Sequence, residues 1–296
     1  MRFTRPTADI FVPDSTLARA PGAALARTTH LCVAAHQDDI EIMACQGIAA
    51  CFAREDKWFS GVVVTDGAGS PRSGPYRDCT DEDMRAIRCR EQRKAACVGD
   101  YSIQIQLAHP SASVKNPGAA GVQADLAAIF AGCAPEVVYL HNPADKHDTH
   151  VAVFAHSLRA LRAMPAARRP KKVFGCEVWR DLDWLCDADK RPLDAGARPN
   201  LATSLLGVFD SQIAGGKRYD LATAGRRLAH ATYHAPRAAD VFQAVNWAMD
   251  LTPLLDDSAL SPTDYTLAHI ERFRQDVEQR LRRFSPASDV QKSRKP

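Results

Sequence analysis

The stretch THLCVAAHQDDIE, residues 29–41, joins an apolar run to a dense group of charged side chains. Residues 29–35 are short, apolar and rich in β-formers, which is typical of a buried strand. Apolar residues recur at helical spacing over 41–54, so the pattern predicts a strand, a tight turn and a helix. The polar cluster HQDD (36–39) then stands in the turn, and Glu41 favours the N-terminus of the helix.

The same alternation of strands and helices continues along the chain. Further strands are predicted over 59–64, 103–107, 136–140 and 172–178, and further helices over 81–98, 122–130 and 151–164. Thr80 is the expected N-cap of helix 81–98 and Gly99 its expected stop. This order predicts an α/β fold that is Rossmann-like, with a mostly parallel sheet covered by helices on both faces.

Beyond about residue 180 the periodicity weakens into a turn-rich segment. We expect pocket-covering and C-terminal elements over about 180–284, with helices around 204–213 and 265–283, on a Rossmann-like core of about 29–180. Together these form a single catalytic domain, residues 1–284. The last residues, 285–296, read as a disordered tail.

Composition narrows the classes of partner. Of 296 residues, 38 are basic and 35 acidic, and the net charge of +3 gives no reason to expect nucleic acid. No run of about 18 apolar residues predicts a membrane span, and charged residues and prolines interrupt the N-terminus where a signal peptide needs an apolar core. The nine scattered cysteines suit a reducing compartment, so we expect a cytoplasmic protein.

Two clusters of metal-compatible side chains follow two of the predicted strands. HQDD follows strand 29–35, and HDTH (147–150) follows strand 136–140 after a short loop. In open parallel sheets the carboxyl ends of the strands share one edge, where ligands bind. A catalytic zinc takes three His, Asp or Glu ligands and keeps one position open. The spacing therefore predicts one Zn²⁺ held by His36, Asp39 and His150.

The remaining polar side chains of the clusters have expected roles in catalysis. Metal binding lowers the pKa of a water molecule to roughly 7, and Asp38 is the candidate general base for it. His147, one helical turn before His150, is placed to stabilise a tetrahedral oxyanion as an imidazolium. Asp145 or Asp148 is the candidate to orient a histidine ligand, and His141 is left undecided.

These motifs resemble the LmbE/PIG-L-type zinc-dependent N-deacetylases, whose signature is A-H-P-D-D-[EI]-E followed by a helix that carries a glycine. This chain reads AHQDDIEIMACQG, then LHNPADKHDTH where the family has H-x-x-H, with a TDGAGS loop and R-x-x-E-x-x-x-A (88–95) between them. The resemblance implies a Rossmann-like fold, a single zinc, and removal of an acetyl or related acyl group from the nitrogen of an amino sugar. It implies the same ligands, base and oxyanion-stabilising histidine as the spacing.

The chain departs from the family pattern at two places. Gln37 replaces the usual proline, and the second motif reads H-D-T-H where H-P-D-H is commoner. An orienting role for the family's aspartate there passes to Thr149 or Asp148.

The substrate contacts depend on the loop regions. The loop over 67–80 is either a simple connection or a wall of the pocket. In the second case Asp66 and Gly67 contact the substrate, together with Arg72 or, as the alternative, Arg77. Arg88, at i, i+3 from Glu91, is either in a surface salt bridge or near the site. Trp179 and Trp184 suit either sugar stacking or the core. The resemblance also places Gln212 beside the pocket.

We therefore expect a zinc-dependent hydrolase whose partner is a small N-acylated amino sugar or conjugate, and the charged C-terminal helix leaves a homo-oligomer open. A metal-dependent hydrolase of another amide or of a phosphoester is the alternative with the same ligands. A non-enzymatic Rossmann-like binding module is a third class, but the turn after strand 29–35 is HQDDIE and not the expected G-x-G-x-x-G.

Overall fold

The computed structural model describes residues 1–286 and contains an eight-stranded sheet. In chain order the strands are β1 (Asp9–Phe11), β2 (His30–Ala34), β3 (Phe59–Thr65), β4 (Ile103–His109), β5 (Val137–His141), β6 (Lys172–Cys176), β7 (Lys190–Asp194) and β8 (Val245–Asp250). They lie in the order β1-β4-β3-β2-β5-β6-β8-β7. Of the tail predicted over 285–296, residues 287–296 lie outside the described residues.

The central five strands are parallel and the outer three are antiparallel. The pairs β4–β3, β3–β2, β2–β5 and β5–β6 are parallel, whereas β1 pairs with β4, and β8 pairs with β6 and β7, in antiparallel fashion. The predicted α/β fold with a mostly parallel sheet is confirmed, although the whole sheet is mixed. Beyond residue 180, where pocket-covering and C-terminal elements were expected, β7 and β8 also extend the sheet.

Helices cover both faces of this sheet. They are α1 (Pro21–Ala26), α2 (Asp39–Met43), α3 (Cys45–Cys51), α4 (Asp81–Val98), α5 (Ser111–Val114), α6 (Ala120–Gly132), α7 (Asp148–Arg162), α8 (Pro199–Gly207), α9 (Asp210–Ile213), α10 (Tyr219–Tyr233), α11 (Thr252–Asp256) and α12 (Pro262–Phe284). In β2, Leu31 and Val33 pack on the side of α6 and α7, whereas Cys32 and Ala34 pack on the side of α2, α3 and α8. This is the alternation that a strand buried on both faces requires.

Helix α4 confirms the prediction for 81–98 at both ends. Thr80 accepts a hydrogen bond from the backbone N–H of Asp83, and the Asp83 side chain bonds back to Thr80, which together make a capping box. The helix ends before Gly99. The helix therefore begins and ends where local signals alone can place it.

The single helix predicted over 41–54 is wrong. The chain forms α2 and α3, which are separated at Ala44. The side chain of Arg227 donates from Nη2 to the backbone carbonyl oxygens of Glu41 and Ile42, at 2.8 and 2.9 Å. Those carbonyls would otherwise accept bonds from the next helical turn, so a contact with a distant residue favours the break.

The single helix predicted around 204–213 is also wrong, because the chain forms two helices there, α8 and α9. Helix α10 follows where no helix was predicted.

In residues 1–286, no helix combines the length and the apolar character that crossing a bilayer requires. All nine cysteines are free thiols.

The topology brings the two polar clusters together. The HQDD turn follows β2 and the HDTH segment follows β5, and these strands are parallel neighbours with His30 in register with Val137. Both clusters consequently lie at the same edge of the sheet, where the strand order changes direction on either side of β2.

Candidate metal centre

The turn between β2 and α2 has a reversed backbone at Asp38. This residue is the N-cap of α2 and has φ of 76°, in the left-handed region that aspartate and asparagine tolerate better than most side chains. The next residue, Asp39, accepts the backbone N–H of His36 with Oδ2 at 2.8 Å, which closes the turn. The neighbouring carboxylates of Asp38 and Asp39 reach different partners as a result.

Three predicted ligands form a nearly equilateral triangle of donor atoms. His36 Nδ1 lies 3.1 Å from His150 Nε2 and 3.2 Å from Asp39 Oδ2, and His150 Nε2 lies 3.3 Å from Asp39 Oδ2. Ligands about 2.1 Å from a tetrahedral zinc lie ~3.4 Å from each other. Two imidazole nitrogens and one carboxylate oxygen at these distances therefore fit a single metal ion.

The side chain that orients His150 is Asp145. Its Oδ2 lies 3.3 Å from His150 Nδ1, and its Oδ1 accepts the backbone N–H of His147 at 3.0 Å. Asp145 is buried, whereas Asp148, the other candidate, is exposed. A proton on Nδ1 of His150 directs the Nε2 lone pair into the triangle, which is the arrangement that metal-bound histidines usually have.

The electrostatics of the triangle also favour a positive charge beside Asp39. Burial alone raises the pKa of Asp39, but His150 and His36 outweigh it and hold that pKa well below its ordinary value. Burial lowers the pKa of His150, yet Asp39 and Asp145 together raise it to about 9. The carboxylates thus stabilise a cation at this point of the sheet edge.

His141, whose role the sequence left undecided, packs against the triangle of candidate ligands. Its Nε2 accepts the backbone N–H of Ala35 at 2.9 Å, and its ring stacks on that of His150 with centroids 3.9 Å apart. Although Nε2 also lies 3.6 Å from Asp39 Oδ2, its lone pair is used by the Ala35 bond. The neutral ring then carries its proton on Nδ1, so it has no lone pair free for a metal.

Asp38 is held by a buried arginine. Its Oδ2 accepts from Nη1 and Nη2 of Arg88, both at 3.2 Å, and Nη2 also donates to the Gln37 carbonyl oxygen at 2.5 Å. The side chains of Arg88 and Asp38 are 2% and 5% exposed. Burial raises the pKa of Asp38 to about 7, with Arg88 acting against the shift and Asp39 adding to it.

The sequence left two alternatives for Arg88 and Glu91, a surface salt bridge or a place near the site. The structure shows the second alternative. Arg88 pairs with Asp38, and Glu91 accepts from the backbone N–H and the hydroxyl of Ser211, at 2.7 and 2.6 Å. Both side chains are buried.

His147 is half-buried at the start of α7. Its ring centroid lies 5.0 Å from that of His36 and 4.5 Å from that of His150, and its Nδ1 has no hydrogen-bond partner in residues 1–286. Burial and the neighbouring histidines lower its pKa, so the structure favours a neutral ring over the expected imidazolium. A neutral ring still offers an N–H donor to a developing negative charge.

A cleft of about 470 Å³ opens above these residues. It is lined by His36, Asp38, Asp39, Gly67, Gly69, Ser70, Pro71, Arg88, Ser111, Lys115, His147, Thr149, Trp179, Gln212, Lys217 and Tyr219. Gly67, Arg88 and Gln212, three of the residues expected to contact the substrate, line this cleft. Lys115, Lys217 and Tyr219 were missed, because no local motif marks them.

Two of the predicted substrate contacts lie elsewhere. Asp66 faces a separate cleft and accepts from Arg85 Nε at 3.1 Å. Arg72 donates to the carbonyl oxygens of Ala68 and Cys79, at 2.6 and 3.1 Å, and so holds its own loop together. The two tryptophans also divide, because Trp179 lines the cleft and Trp184 packs against the core.

The loop that forms one wall of the cleft packs against Gln37, the residue that stands where the family usually has a proline. Gly67 has φ of 74°, and a Cβ there would lie 2.5 Å from Gln37 Oε1. The Gln37 amide in turn donates to Gln106 Oε1 at 3.1 Å. Gln37 therefore packs under the loop, and its side chain contacts Gln106 and not the triangle of candidate ligands.

This fold and site define an α/β protein with a cluster of histidines and Asp39 at the carboxyl edge of its parallel strands, beneath a polar cleft. The family model PIG-L, described as GlcNAc-PI de-N-acetylase, matches residues 31–161. The matched segment includes both polar clusters, and over this segment the chain is similar to the PIG-L (LmbE-like) deacetylases.

Solved structures with the same fold include enzymes of more than one kind. The 4-carboxy-2-hydroxymuconate hydratase from Pseudomonas putida matches with a TM-score of 0.55 and 16% identity, over 76% of this chain and 96% of that one. The N,N'-diacetylchitobiose deacetylase from Pyrococcus horikoshii has a TM-score of 0.55 and 14% identity, over 75% and 84%. The A40926 pseudoaglycone deacetylase Dbv21 has 0.51 and 16%, over 76% and 97%. Comparison with the curated proteins found no significant match.

Proposed function

We propose that this protein is a zinc-dependent hydrolase that removes an acetyl or related acyl group from the nitrogen of an amino-sugar-type substrate. The observation that carries the proposal is the triangle of His36, Asp39 and His150 at 3.1 to 3.3 Å, with Asp38 beside it in the cleft. The family description and the chitobiose and pseudoaglycone deacetylases of the same fold support an N-acyl sugar as substrate.

The residues of the triangle would hold one metal ion per chain. His36 and His150 supply imidazole nitrogens and Asp39 a carboxylate oxygen, a donor set that suits zinc with one position open. When bound, the metal supplies Lewis acidity and lowers the pKa of water. Asp145 fixes the ring of His150 so that Nε2 faces the site.

The other two residues act on the substrate and on protons. Asp38 takes a proton from the attacking water and returns it to the amine nitrogen as the amide bond breaks. His147 donates from its ring N–H to the amide oxygen as negative charge develops there. Arg88 holds the Asp38 carboxylate in place.

The described residues argue against a two-metal phosphoesterase, the main alternative with the same ligands. The two groups of potential ligands, His36–His147–His150 and Asp39–His141–His150, share His150 and therefore describe one centre. Two-metal hydrolases need two ions about 3.5–4 Å apart, and residues 1–286 contain no second, separate group of potential ligands for the other ion.

Broader features belong to this proposal as well. The order β4-β3-β2-β5-β6 supports a Rossmann-like description with antiparallel additions. We propose that residues 1–284 work as one catalytic unit in the cytoplasm, and that any homo-oligomer uses α12, whose Leu281 and Phe284 are 66% and 82% exposed.

The test compares metal content and amine release in three variants. His36→Ala should lose most of the bound metal. Asp38→Asn should keep the metal and lose about 10²–10⁴-fold in turnover, because it removes the general base. Asparagine is preferred to alanine at position 38, because asparagine tolerates the left-handed backbone of this residue better.

Asp148→Asn is the matched control, since it alters an exposed carboxylate at the start of the same helix that carries His150. It should leave metal content and turnover unchanged. The substrates are N-acetylglucosamine and its conjugates, with and without a chelator. Full metal content and full activity in both site variants would disprove the proposal.

A further inference from the structure

The charges that line the cleft do not balance. Its acidic side chains are Asp38 and Asp39, and both are already engaged, the first by Arg88 and the second by the histidines. Lys115 and Lys217 also line the cleft. Neither lysine pairs with a carboxylate in residues 1–286, where the lysines that form ion pairs are 171, 172 and 190.

The position of Lys217 is set by aromatic and backbone contacts. Its Nζ lies 5.0 Å from the centre of the Trp179 ring, and the Trp179 ring lies 6.1 Å from that of His147. The Trp179 backbone N–H donates to Asp145 Oδ2, the same carboxylate oxygen that contacts His150. Trp179 therefore lies between the Lys217 ammonium group and His147. The same tryptophan is hydrogen-bonded to Asp145, which contacts the candidate ligand His150.

The backbone of this segment holds the lysine over the cleft. The Lys217 N–H donates to the Gln212 carbonyl oxygen at 2.8 Å. The preceding Gly216 has φ of 112°, and a Cβ there would lie 2.9 Å from Ser73 Oγ of the opposite loop. Tyr76 of that loop also donates to Asp210 Oδ2 at 2.6 Å. The two loops thus fix one wall together.

A half-buried ammonium that has only an aromatic face as its partner retains capacity for an anion. The cation–π contact is worth about 0.5–2 kcal/mol. An anion beside Lys217 would be attracted more strongly than in bulk water, because the walls of the cleft have a low dielectric constant. Lys115 lies at the same cleft and adds to the attraction. A neutral sugar would accept hydrogen bonds from these lysines but would leave both charges without a counter-charge.

We propose that the outer part of this cleft is a subsite for an acidic group of the substrate, with Lys217 as its principal contact and Lys115 as the second. The group is a carboxylate or a phosphate carried by the amino sugar or its conjugate, on the side of Trp179 away from His147. This inference deepens the proposed function and rests on it for the position of the amide.

The first test measures binding without turnover. Glucosamine, glucosamine 6-phosphate and muramic acid are titrated into the metal-loaded protein by calorimetry. We expect the two acidic amino sugars to bind roughly fivefold or more tightly than glucosamine, the size of one partly exposed charge contact. The phosphate and carboxylate compounds distinguish the two chemical sources of the charge. Higher ionic strength should reduce the preference.

The second test asks which lysine is responsible. Lys217→Gln should remove most of the preference and Lys115→Gln part of it, whereas Lys217→Arg should retain it. Lys94→Gln is the control, because it removes an equal charge from an exposed position on α4 that does not line the cleft. The same variants are compared by KM for N-acetylglucosamine, its 6-phosphate and N-acetylmuramic acid.

Equal binding of the three amino sugars by the unmodified protein would overturn the subsite, as would an unchanged preference in Lys217→Gln or an equal loss in Lys94→Gln. The two proposals fail in different ways. A preference for acidic amino sugars without amine release from any acetylated substrate would disprove the deacylase and leave the subsite standing.

Discussion

Replacing Arg88 by methionine should destabilise the protein far more than a surface arginine would. Arg88 is 2% exposed and makes three hydrogen bonds, two to Asp38 Oδ2 and one to the Gln37 carbonyl oxygen. Methionine has a similar length but no donor. The substitution would leave the Asp38 carboxylate buried without its counter-charge, since Asp38 is itself 5% exposed.

The expected loss in the free energy of unfolding follows from the burial of Arg88 and Asp38. Removing one partner of a buried ion pair costs about 3–5 kcal/mol, because the other charge stays desolvated. We expect a value near the lower end, since burial already raises the pKa of Asp38 to about 7 and proton uptake can relieve part of the penalty. The control is Arg85→Met, three residues earlier on α4. Arg85 is 41% exposed and pairs with Asp66 and Glu82, so its loss should cost ~0–1 kcal/mol.

Urea denaturation of chelator-treated protein, followed by circular dichroism, measures both values without a contribution from bound metal. The double variant Asp38→Asn/Arg88→Met removes the orphaned charge as well. It should be more stable than the sum of the single losses predicts, by roughly 1–3 kcal/mol. If Arg88→Met costs no more than Arg85→Met, or if the double variant shows no coupling, the buried pair does not stabilise this site as we argue.

Three further variants test other contacts of the site and the sheet. Asp145→Asn should weaken metal affinity about 10–100-fold in competition with a chromophoric chelator, and the exposed Asp148→Asn should not; equal affinities would contradict the orienting role. Gly67→Ala should lower stability by about 1–2 kcal/mol, because φ is 74° and the new Cβ would clash, whereas Gly69→Ala, with open space around it, should be near neutral in thermal unfolding; similar melting temperatures would refute this. Burial, with a smaller contribution from a nearby lysine, lowers the pKa of His30 from 6.5 to about 4, so its contribution to stability is complete above pH 6.5 and is lost as the pH falls through about 4. His30→Gln should flatten that loss in urea midpoints measured from pH 7 to 4, and an unchanged slope would exclude it.

The neighbourhood of the candidate ligands could be predicted because each cluster is local in sequence and the topology is regular. His36 and Asp39 share one tight turn, and a βα unit brings His150 to the same sheet edge. Parallel strands place their carboxyl ends together whatever lies between them in the chain. The order of strands and helices was therefore sufficient to predict that these three side chains lie at the same edge of the sheet.

The features that were missed depend on contacts between distant residues. Arg227 favours the break between α2 and α3 by taking the carbonyls of Glu41 and Ile42, and nothing near residue 44 signals this. Lys217 lines the cleft next to Gly216, whose turn packs on the loop that contains Ser73, far away in sequence. The loop arginine Arg72 was placed at the pocket from its charge, but neighbouring carbonyls and Asp81 satisfy it.

The most informative difference concerns the inner face of α4. A charged helix with alternating apolar residues usually presents its polar side chains to water. Here Arg88, Glu91 and Gln92 are buried against the site. Arg88 compensates Asp38, and the amide of Gln92 accepts the Asp38 N–H at 3.2 Å through Oε1. The polar face of α4 is therefore the counterpart of the HQDD turn.

The same helix explains how three carboxylates within four residues can be buried together. Asp39 is balanced by histidines and Asp38 by Arg88, but Glu41 has no cationic partner in residues 1–286. Glu41 Oε1 accepts from Gln92 Nε2 at 2.8 Å and from the Tyr101 hydroxyl at 2.7 Å. Burial outweighs these bonds and raises its pKa to about 7. Proton uptake near pH 7 therefore relieves part of the cost of burying Glu41, which has two hydrogen-bond donors where its neighbours have cationic partners.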